Sequence, residues 1–387
     1  MRATSVNSQI LGRALRVLVI GRFHSIHAVR FAEELQRQGL EVAAMWLGGG
    51  VCNPRVRTIY HPQGSARMLG IPRTATLVCL LYIRQAINEF RPDIIHIQDD
   101  PRIPYWLNMV CRSKIVKAYT SWGHNSAAYQ RHTFQAGLAK FHLVSSDAPD
   151  TLAELTPFAP NARNEIFRFG VDPEVFFPGK PDPAVLSKYG LDPNGLYVLS
   201  PRMLRPVYNQ ITLIRALPPV MEKFPGLRLI LKHHHEWHFK GNDDYERSIR
   251  DEAIRLGIWD RIVRINHLSH SDLIHLYRLS RVSVSIPLED GLAATIFDAM
   301  ACGSPLIVSN DRSYDGVVDE KNAIAIEPTD GHALSRALLR ILGEPEFAEN
   351  IREEGLKTVS EKGNFGKEIS RLIHTYHILL SERNNVA

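Results

Sequence analysis

The chain has 387 residues, 44% of them hydrophobic and 22% charged, with a formal net charge of +5 at pH 7. This composition is typical of a soluble globular protein, and the length is sufficient for two domains. The longest apolar run, residues 75–83, is about half as long as a bilayer span, which excludes a membrane-spanning helix, and residues 1–10 lack the apolar core of a signal peptide.

Cysteine usage and charge distribution predict the compartment and the type of partner. Cys52, Cys79, Cys111 and Cys302 form no metal motif, so we expect reduced thiols in a cytoplasmic protein. Residues 1–180 carry 21 Lys and Arg against 13 Asp and Glu, whereas the remainder carries 25 against 28. A basic first half favours an anionic partner: a phosphorylated substrate, a polyanion or an anionic membrane surface. A solvated basic face without a partner explains it equally well.

Strand-like and helix-like runs alternate along the first half of the chain. Residues 15–20 form a β-prone run that ends at Gly21, and residues 28–38 carry apolar side chains at helical spacing before Gly39. Further strands are predicted at 41–47, 92–97, 115–119 and 142–145, and a helix at 75–90. Strands that alternate with helices indicate a parallel sheet with helices on both faces.

The alternation restarts after residues 172–193, a stretch rich in proline and charge that is typical of a linker. Strands are then predicted at 196–200, 227–231, 262–265 and 282–286, with helices at 211–224, 245–256 and 271–279. We expect Ser271 to cap the last of these helices. The economical architecture is two doubly wound domains with a cleft between them and ligands at the carboxyl ends of the strands.

The most informative stretch is residues 290–309, where two carboxylates accompany a short apolar helix. Asp298 lies eight residues after Asp290, and Gly303 suits the left-handed position that ends a helix. The helix start offers backbone N–H groups to a diphosphate, with one acid at each end of the ligand. The alternative is a capping box formed by Thr295 and Asp298, in which Asp298 only caps its own helix.

These residues resemble the signature of retaining nucleotide-sugar glycosyltransferases with the GT-B fold, a large family that includes sucrose synthases and many bacterial mannosyl- and glucosyltransferases. The resemblance is carried by residues 285–291, 297–309, 91–96, 170–178, 256–263 and 273–277. It implies two Rossmann-like domains that face a cleft. The predicted parts are an acceptor-side domain at 1–178, a linker at 179–194, a nucleotide-sugar-binding domain at 195–364, and a helix at 365–387 that crosses back to the first domain.

The resemblance also implies roles for individual residues. Asp298 falls where the family's second acid binds the ribose hydroxyls, and Asp290 falls where the first acid binds the sugar or supports the reacting centre. Glu289 is the alternative if the register shifts by one residue. Arg202 matches an arginine that stabilises the diphosphate. The backbone groups expected to face the donor belong to Gly291, Leu292, Ala293, His267 and Leu268, the last two at the nucleotide base.

The lysine that the family places against the diphosphate about five residues after the arginine is missing. That position falls on Val207 or Tyr208. Arg205 and Lys232 are candidate substitutes, although neither is in register. Losing one cation from a diphosphate site costs about 2–3 kcal/mol of charge stabilisation.

Other positions also depart from the family's pattern. Its acceptor-side histidine falls on Trp122, and His124, two residues later, fills a similar space. Its glycine-rich turn is replaced by residues 232–238, which contain four histidines. His234 and His238 have helical spacing, but no third ligand is evident, so we expect no metal. Contact with the nucleotide is the better interpretation of this run.

Two residues near the predicted cleft have a structural and a functional interpretation. His96 lies on an apolar strand, which favours a core or cleft-edge histidine with satisfied hydrogen bonds over a catalyst. Gly21 follows the first strand, and a glycine there suits close approach of the backbone to the donor. An ordinary turn between a strand and a helix explains Gly21 equally well.

The reaction implied is transfer of a sugar to a hydroxyl acceptor with retention of anomeric configuration. In the family the leaving diphosphate oxygen takes the acceptor's proton, so no separate protein base is needed, unlike in paired-carboxylate glycosidases. The expected partners are a nucleotide sugar, a glycan or lipid-linked acceptor, and an anionic membrane surface at the inner face, but no nucleic acid and no cofactor. A GT-B pseudoenzyme without turnover and a nucleotide-sugar epimerase are the alternatives.

Overall fold

The computed structural model describes residues 13–21, 26–46, 56–60, 72–111, 115–122, 126–233, 242–266 and 268–385. The chain divides into two compact units. Unit 1 is Met1–Phe169 together with Phe365–Ala387, and unit 2 is Gly170–Asn364. Each unit has its own parallel sheet and its own hydrophobic core.

Unit 1 is built on a parallel sheet of buried strands. Its strands in the described ranges are β1 Arg16–Gly21, β2 Glu41–Trp46, β3 Arg57–Tyr60, β4 Ile94–Gln98, β5 Val116–Ser121, β6 Leu143–Ser146 and β7 Arg163–Ile166. They lie in the order β3-β2-β1-β4-β5-β6-β7. β4 and β5 are buried along their whole length, as expected for central parallel strands covered on both faces.

Helices connect these strands. They are α1 Ile26–Arg37, α2 Pro72–Phe90, α3 Ile103–Val110, α4 Ser126–Tyr129, α5 His132–Leu138 and α6 Pro149–Leu155. The strand order reverses between β1 and β4, and right-handed crossovers on the two sides of β1 place helices on opposite faces of the sheet.

Unit 2 repeats this architecture. Its strands are β8 Leu196–Ser200, β9 Leu227–Lys232, β10 Ile262–Ile265, β11 Val282–Ser285, β12 Leu306–Ser309 and β13 Ile324–Ile326, in the order β10-β9-β8-β11-β12-β13. Its helices are α7 Pro183–Lys188, α8 Gln210–Lys223, α9 Asn242–Arg255, α10 His270–Leu279, α11 Ala294–Ala301, α12 Gly331–Gly343 and α13 Pro345–Lys362. Two apolar clusters cover this sheet, and the strand order reverses between β8 and β11.

The last helix, α14 Phe365–Asn385, belongs to unit 1. Its Tyr376 is buried, and the Tyr376 hydroxyl is hydrogen-bonded to Nδ1 of His96. Nε2 of His96 is 2.7 Å from Oγ1 of Thr120. Burial lowers the pKa of His96 to about 3, so its ring is neutral at physiological pH. His96 is therefore a core histidine with both ring nitrogens bonded.

The predicted fold class, two doubly wound parallel-sheet units of the Rossmann type, is confirmed. Two local predictions were wrong. The predicted linker at 179–194 belongs to unit 2 and contains α7, whose Leu186 is buried in the core; Asp182 caps this helix by accepting a hydrogen bond from the N–H of Ala184 at 2.8 Å. The cap of α10 is Ser269, which accepts from the N–H of Asp272 at 3.0 Å, and not Ser271.

None of the helices in the described part of the chain is long and apolar enough to cross a bilayer.

Candidate functional site

The carboxyl ends of three neighbouring strands of unit 2 bring the predicted site residues together. Lys232 is the last residue of β9, Arg202 follows β8 by two residues, and the loop that contains Asp290 follows β11. These strands are adjacent in the order β9-β8-β11, and the order reverses between β8 and β11. Such a switch point is where doubly wound sheets bind ligands.

Arg202 and Asp290 form an ion pair at this point. Nη2 of Arg202 is 2.7 Å from Oδ2 of Asp290, and the two side chains are 14% and 21% exposed. The other carboxylate oxygen accepts the N–H of Gly291 at 3.0 Å, and the Asp290 carbonyl accepts the hydroxyl of Ser313 at 2.9 Å. Glu289 is exposed, so Asp290 and not Glu289 is the acid that meets the arginine.

The electrostatics of the pair follow from burial and mutual attraction. Burial raises the pKa of Asp290, and the positive charges of Arg202 and Arg205 oppose that rise. Burial by itself would lower the pKa of Arg202, but Asp290 and the neighbouring tyrosines outweigh it, so the net pKa is raised. Each charge therefore stabilises the other in a largely desolvated place.

An aromatic ring supports Arg202. The guanidinium carbon of Arg202 lies 3.9 Å from the ring centre of Tyr208, and that of Arg205 lies 5.7 Å from it. Tyr208 occupies one of the two positions on which the missing lysine falls. Sequence reasoning identified this substitution but missed the stacking, for which the only signal was an aromatic residue close to two arginines in sequence.

Hydrogen bonds to backbone carbonyls hold the loop that carries these side chains. Leu288 donates its N–H to the carbonyl of Val207 at 2.8 Å, which ties the loop after β11 to the loop after β8. Nε2 of Gln210 donates to the carbonyl of Met203 at 2.9 Å. Asn209 has a left-handed backbone, φ 56°, just before α8. Arg202 and Tyr208 thus sit on a fixed turn.

Helix α11 begins close to Asp290. Its N-cap residue is Ala293, whose side chain cannot cap, and the side chains of Leu292 and Ala293 belong to the apolar core. Thr295 is inside the helix, at its second position, so the capping-box alternative for Thr295 and Asp298 is wrong. Because no side chain caps this start, its backbone N–H groups suit an anion.

The end of α11 matches the sequence prediction. Gly303 is left-handed, φ 74°, and donates its N–H to the carbonyl of Met300 at 3.0 Å. Ser304 donates to the carbonyl of Ala299 at 3.0 Å. These two bonds are the Schellman pattern, which a glycine at this position favours.

Asp298 is buried within α11, only 2% exposed. Its charge is close enough to act on groups of two other elements, α10 and β9, and on the C-cap residue of its own helix. It raises the pKa of Tyr277 and of Cys302, in both cases after the larger effect of burial, and the pKa of Cys302 reaches about 12. Burial and Arg202 lower the pKa of Lys232, and Asp298 opposes that shift. Asp298, Arg202 and Lys232 therefore form one electrostatic cluster.

The remaining predicted residues are distributed as follows. Leu268 is buried in the unit 2 core, whereas His267, His124 and the histidine run 234–238 lie outside the described residues. Gly21 ends β1 in unit 1, where an added Cβ would lie 2.8 Å from Cβ of Gln98. Close packing against Gln98 thus explains this glycine, and its contact with a donor stays a prediction.

Within the described ranges, no group of three or more His, Cys, Asp or Glu side chains is arranged to hold a metal ion. His233, which begins the histidine run, pairs its Nε2 with Oε1 of Glu246 at 2.5 Å.

Sequence comparisons extend over both units. Residues 183–358 match the family Glycosyl transferases group 1, and residues 16–148 match the family Glycosyl transferase 4-like. The putative glycosyltransferase EpsD of Bacillus subtilis is 28% identical over 203 residues, 51% of this chain and 51% of that protein. The chain spans about half the length of the curated relatives it matches.

Solved structures share the fold at low sequence identity. Sucrose-phosphate synthase from Thermosynechococcus elongatus superposes with a TM-score of 0.79 at 18% identity, over 95% of this chain and 100% of that one. The Anabaena HepE protein in complex with UDP superposes with a TM-score of 0.73 at 14% identity, over 93% and 99%.

Proposed function

The chain belongs to the glycosyltransferases of the GT-B fold, and we propose that it moves a hexose from a nucleoside diphosphate donor to a hydroxyl acceptor with retention of anomeric configuration. The single observation that carries the proposal is the Arg202–Asp290 pair beside an uncapped helix start at the switch point of unit 2. Binding of UDP by the structural neighbour HepE supports a nucleotide as the leaving part of the donor.

The proposed roles follow the chemistry of each group. Arg202 and the backbone N–H groups at 291–293 stabilise the negative charge that gathers on the leaving diphosphate. Asp298 accepts hydrogen bonds from the ribose hydroxyls, and Asp290 orients the donor sugar. The segment with His267 and Leu268 meets the base. Gly21 approaches the donor, and His124 serves the acceptor side. The second cation of the diphosphate site is either Arg205 or Lys232.

The proposed mechanism is one of positioning and charge stabilisation. The bond between the sugar C1 and the diphosphate oxygen breaks through an oxocarbenium-like state. The acceptor oxygen bonds to C1 on the face that the diphosphate leaves, and the leaving diphosphate oxygen takes the acceptor's proton. The acids bind and orient the donor, and no side chain is required as a base.

A second candidate is a GT-B protein that binds a sugar nucleotide without turnover. It is favoured by the missing lysine, whose position in the family's pattern falls on Val207 or Tyr208. Incubation with UDP-, GDP- and ADP-sugars, with and without candidate acceptors, distinguishes the two. Release of free nucleotide supports the transferase, and binding without release for every donor contradicts it.

The proposed role of Asp298 is tested by Asp298→Asn, which keeps the size of the side chain and removes its charge. We expect nucleotide affinity to fall about 10- to 100-fold, the loss of charge-assisted hydrogen bonds to the ribose. The matched control is Asp330→Asn, since Asp330 is also an aspartate of unit 2 but caps α12 by accepting from the N–H of Ala333 at 2.8 Å. Unchanged affinity in Asp298→Asn would refute the role.

For the acceptor we propose a glycan or lipid-linked hydroxyl, reached at an anionic membrane surface. The support is the basic first half of the chain and, on α2, exposed Arg84 beside Leu81, which is 59% exposed. Arg57 contributes less, because it pairs with Glu89 at 2.9 Å. Sedimentation with liposomes tests the docking: equal partitioning onto neutral and anionic vesicles contradicts it.

A further inference from the structure

The charges already assigned to the donor site do not suffice for a diphosphate. The positive charge of Arg202 is cancelled by Asp290 at 2.7 Å, and Asp298 adds a negative charge to the same cluster. A nucleoside diphosphate brings at least two more negative charges. The site therefore needs further cations, and among the described residues Arg205 and Lys232 are the cations that act on these acids.

Lys232 is placed to reach the same point as Arg202. In the register of the two parallel strands, Leu231 pairs with Ser200, so Lys232 lies one residue beyond that pair, level with the turn that leads to Arg202. Its side chain is largely buried, and its charge acts on both Arg202 and Asp298. Within the described ranges, Lys232 forms no ion pair with a carboxylate.

Among the residues that the structure describes, the neighbours of Lys232 do not neutralise its charge. Glu246, the acid that meets the adjacent His233 at 2.5 Å, also lies 3.8 Å from Arg264. Burial is the main cause of the lowered pKa of Lys232, and Arg202 adds to it by repulsion. A buried ammonium ion beside an arginine is costly unless an anion joins them.

Arg205 is engaged differently. Its guanidinium carbon is 5.7 Å from the ring centre of Tyr208, on the turn before α8, and its charge acts on Asp290. A ring and an acid therefore stabilise the charge of Arg205, whereas the charge of Lys232 is repelled by Arg202 and forms no ion pair within the described ranges.

We propose that Lys232, contributed by the neighbouring strand β9, binds the donor diphosphate together with Arg202 as the second cation of the site. This inference rests on the proposed function, and it selects Lys232 over Arg205. It also assigns a ligand class to a buried lysine that no internal partner explains within the described residues.

The test is titration calorimetry of the full chain with UDP, GDP and ADP and with the three corresponding nucleosides. For the diphosphate that wild type binds, Lys232→Met should lose about 10- to 100-fold in affinity, and Lys232→Arg should stay within a few-fold. The matching nucleoside should bind all three proteins equally. The control is Lys223→Met, which removes the same charge from an exposed position at the far end of α8 and should leave diphosphate affinity unchanged. Arg205→Met should lose less diphosphate affinity than Lys232→Met.

A second measurement does not depend on the methionine variant folding. Since burial and the charge of Arg202 lower the pKa of Lys232, diphosphate affinity relative to the nucleoside should decline at alkaline pH in wild type, before an ordinary lysine would deprotonate, and stay level in Lys232→Arg. Equal diphosphate affinity in wild type and Lys232→Met, with Asp298→Asn still weakened, overturns the role of Lys232 and leaves the proposed function standing. Failure of wild type to bind any of the three diphosphates overturns both the role of Lys232 and the proposed function.

Discussion

Replacing Asp290 by asparagine should have opposite effects on nucleoside diphosphate binding and on turnover. Asp290 holds Arg202 at 2.7 Å, so a diphosphate must share that arginine with a carboxylate. The asparagine side chain keeps an acceptor for the N–H of Gly291 and removes the competing charge. A unit charge about 8 Å from a phosphate is worth about 2 kcal/mol at an effective dielectric constant of about 20. Because the variant also loses an anchor for Arg202, we expect a net gain of about 10-fold in affinity for the diphosphate.

The same variant should be less stable when empty. Exposed ion pairs contribute up to about 1 kcal/mol to stability, and breaking a buried pair costs about 3–5 kcal/mol. The two side chains of this pair are 14% and 21% exposed, so we expect its loss to cost an intermediate free energy of about 1–3 kcal/mol. A bound diphosphate gives Arg202 a new anion, so saturating ligand should narrow the gap in Tm between variant and wild type. Turnover with a nucleotide sugar should fall, because the carboxylate that orients the sugar is gone.

Titration calorimetry with the diphosphate measures the affinity, and thermal unfolding with and without the diphosphate measures the difference in Tm. Glu289→Gln is the matched control, since it removes the adjacent but exposed carboxylate and should change neither affinity nor Tm appreciably. If the affinity of Asp290→Asn for the diphosphate falls, as it should in Arg202→Met, then Asp290 supports diphosphate binding directly and the reasoning is refuted.

Three further predictions concern the framework. The pKa of His96 is about 3 when folded and 6.5 in the unfolded chain, so the unfolded state binds more protons below pH 6.5 and stability falls as pH drops from there towards 3. Between pH 7 and 5, urea unfolding should show wild type losing about 2 kcal/mol more stability than His96→Asn. The variant keeps the loss due to His142, because burial lowers the pKa of that residue to about 4. Gly303→Ala should lower stability by about 1–2 kcal/mol, because the φ of 74° is unfavourable for alanine. The control is Gly226→Ala, whose added Cβ has no atom within 4 Å and whose stability in the same assay should stay within about 0.5 kcal/mol of wild type. Gly21→Ala should cost about 1–3 kcal/mol through the clash with Gln98, seen as a lower Tm.

Hydrophobic patterning predicted the fold because buried parallel strands are continuous β-prone runs. The strands that it located to within one residue, such as β8 and β9, are bounded by turn residues and contribute side chains to an apolar cluster. The short elements of unit 1 were not predicted. Helix α4 has only four residues, and β7 is an edge strand with no fully buried residue, so neither leaves a periodic signal.

The site was predictable in its members but not in its contacts. Arg202 and Asp290 were each identified, yet their pairing depends on β8 and β11 being neighbours, which no local pattern encodes. The capping-box alternative would have started the helix near Thr295, but α11 begins at Ala294, and the side chains of Leu292 and Ala293 pack in the core. At α10 the cap is Ser269 and not Ser271, a choice between two nearby serines that residue type alone does not make.

Tyr208 and Lys232 are best understood as one paired departure from the family's pattern. The ring of Tyr208 packs against the face of Arg202, which leaves the N–H groups of the guanidinium, all in its plane, free to point at acceptors such as Asp290. A lysine at position 208 would place a third positive charge between Arg202 and Arg205 while Lys232 already lies beside Arg202. Repulsion among these cations would lower the pKa of each lysine and loosen the turn. With a cation supplied from β9, an aromatic residue at 208 is the more stable solution, because it orients the arginine without adding charge.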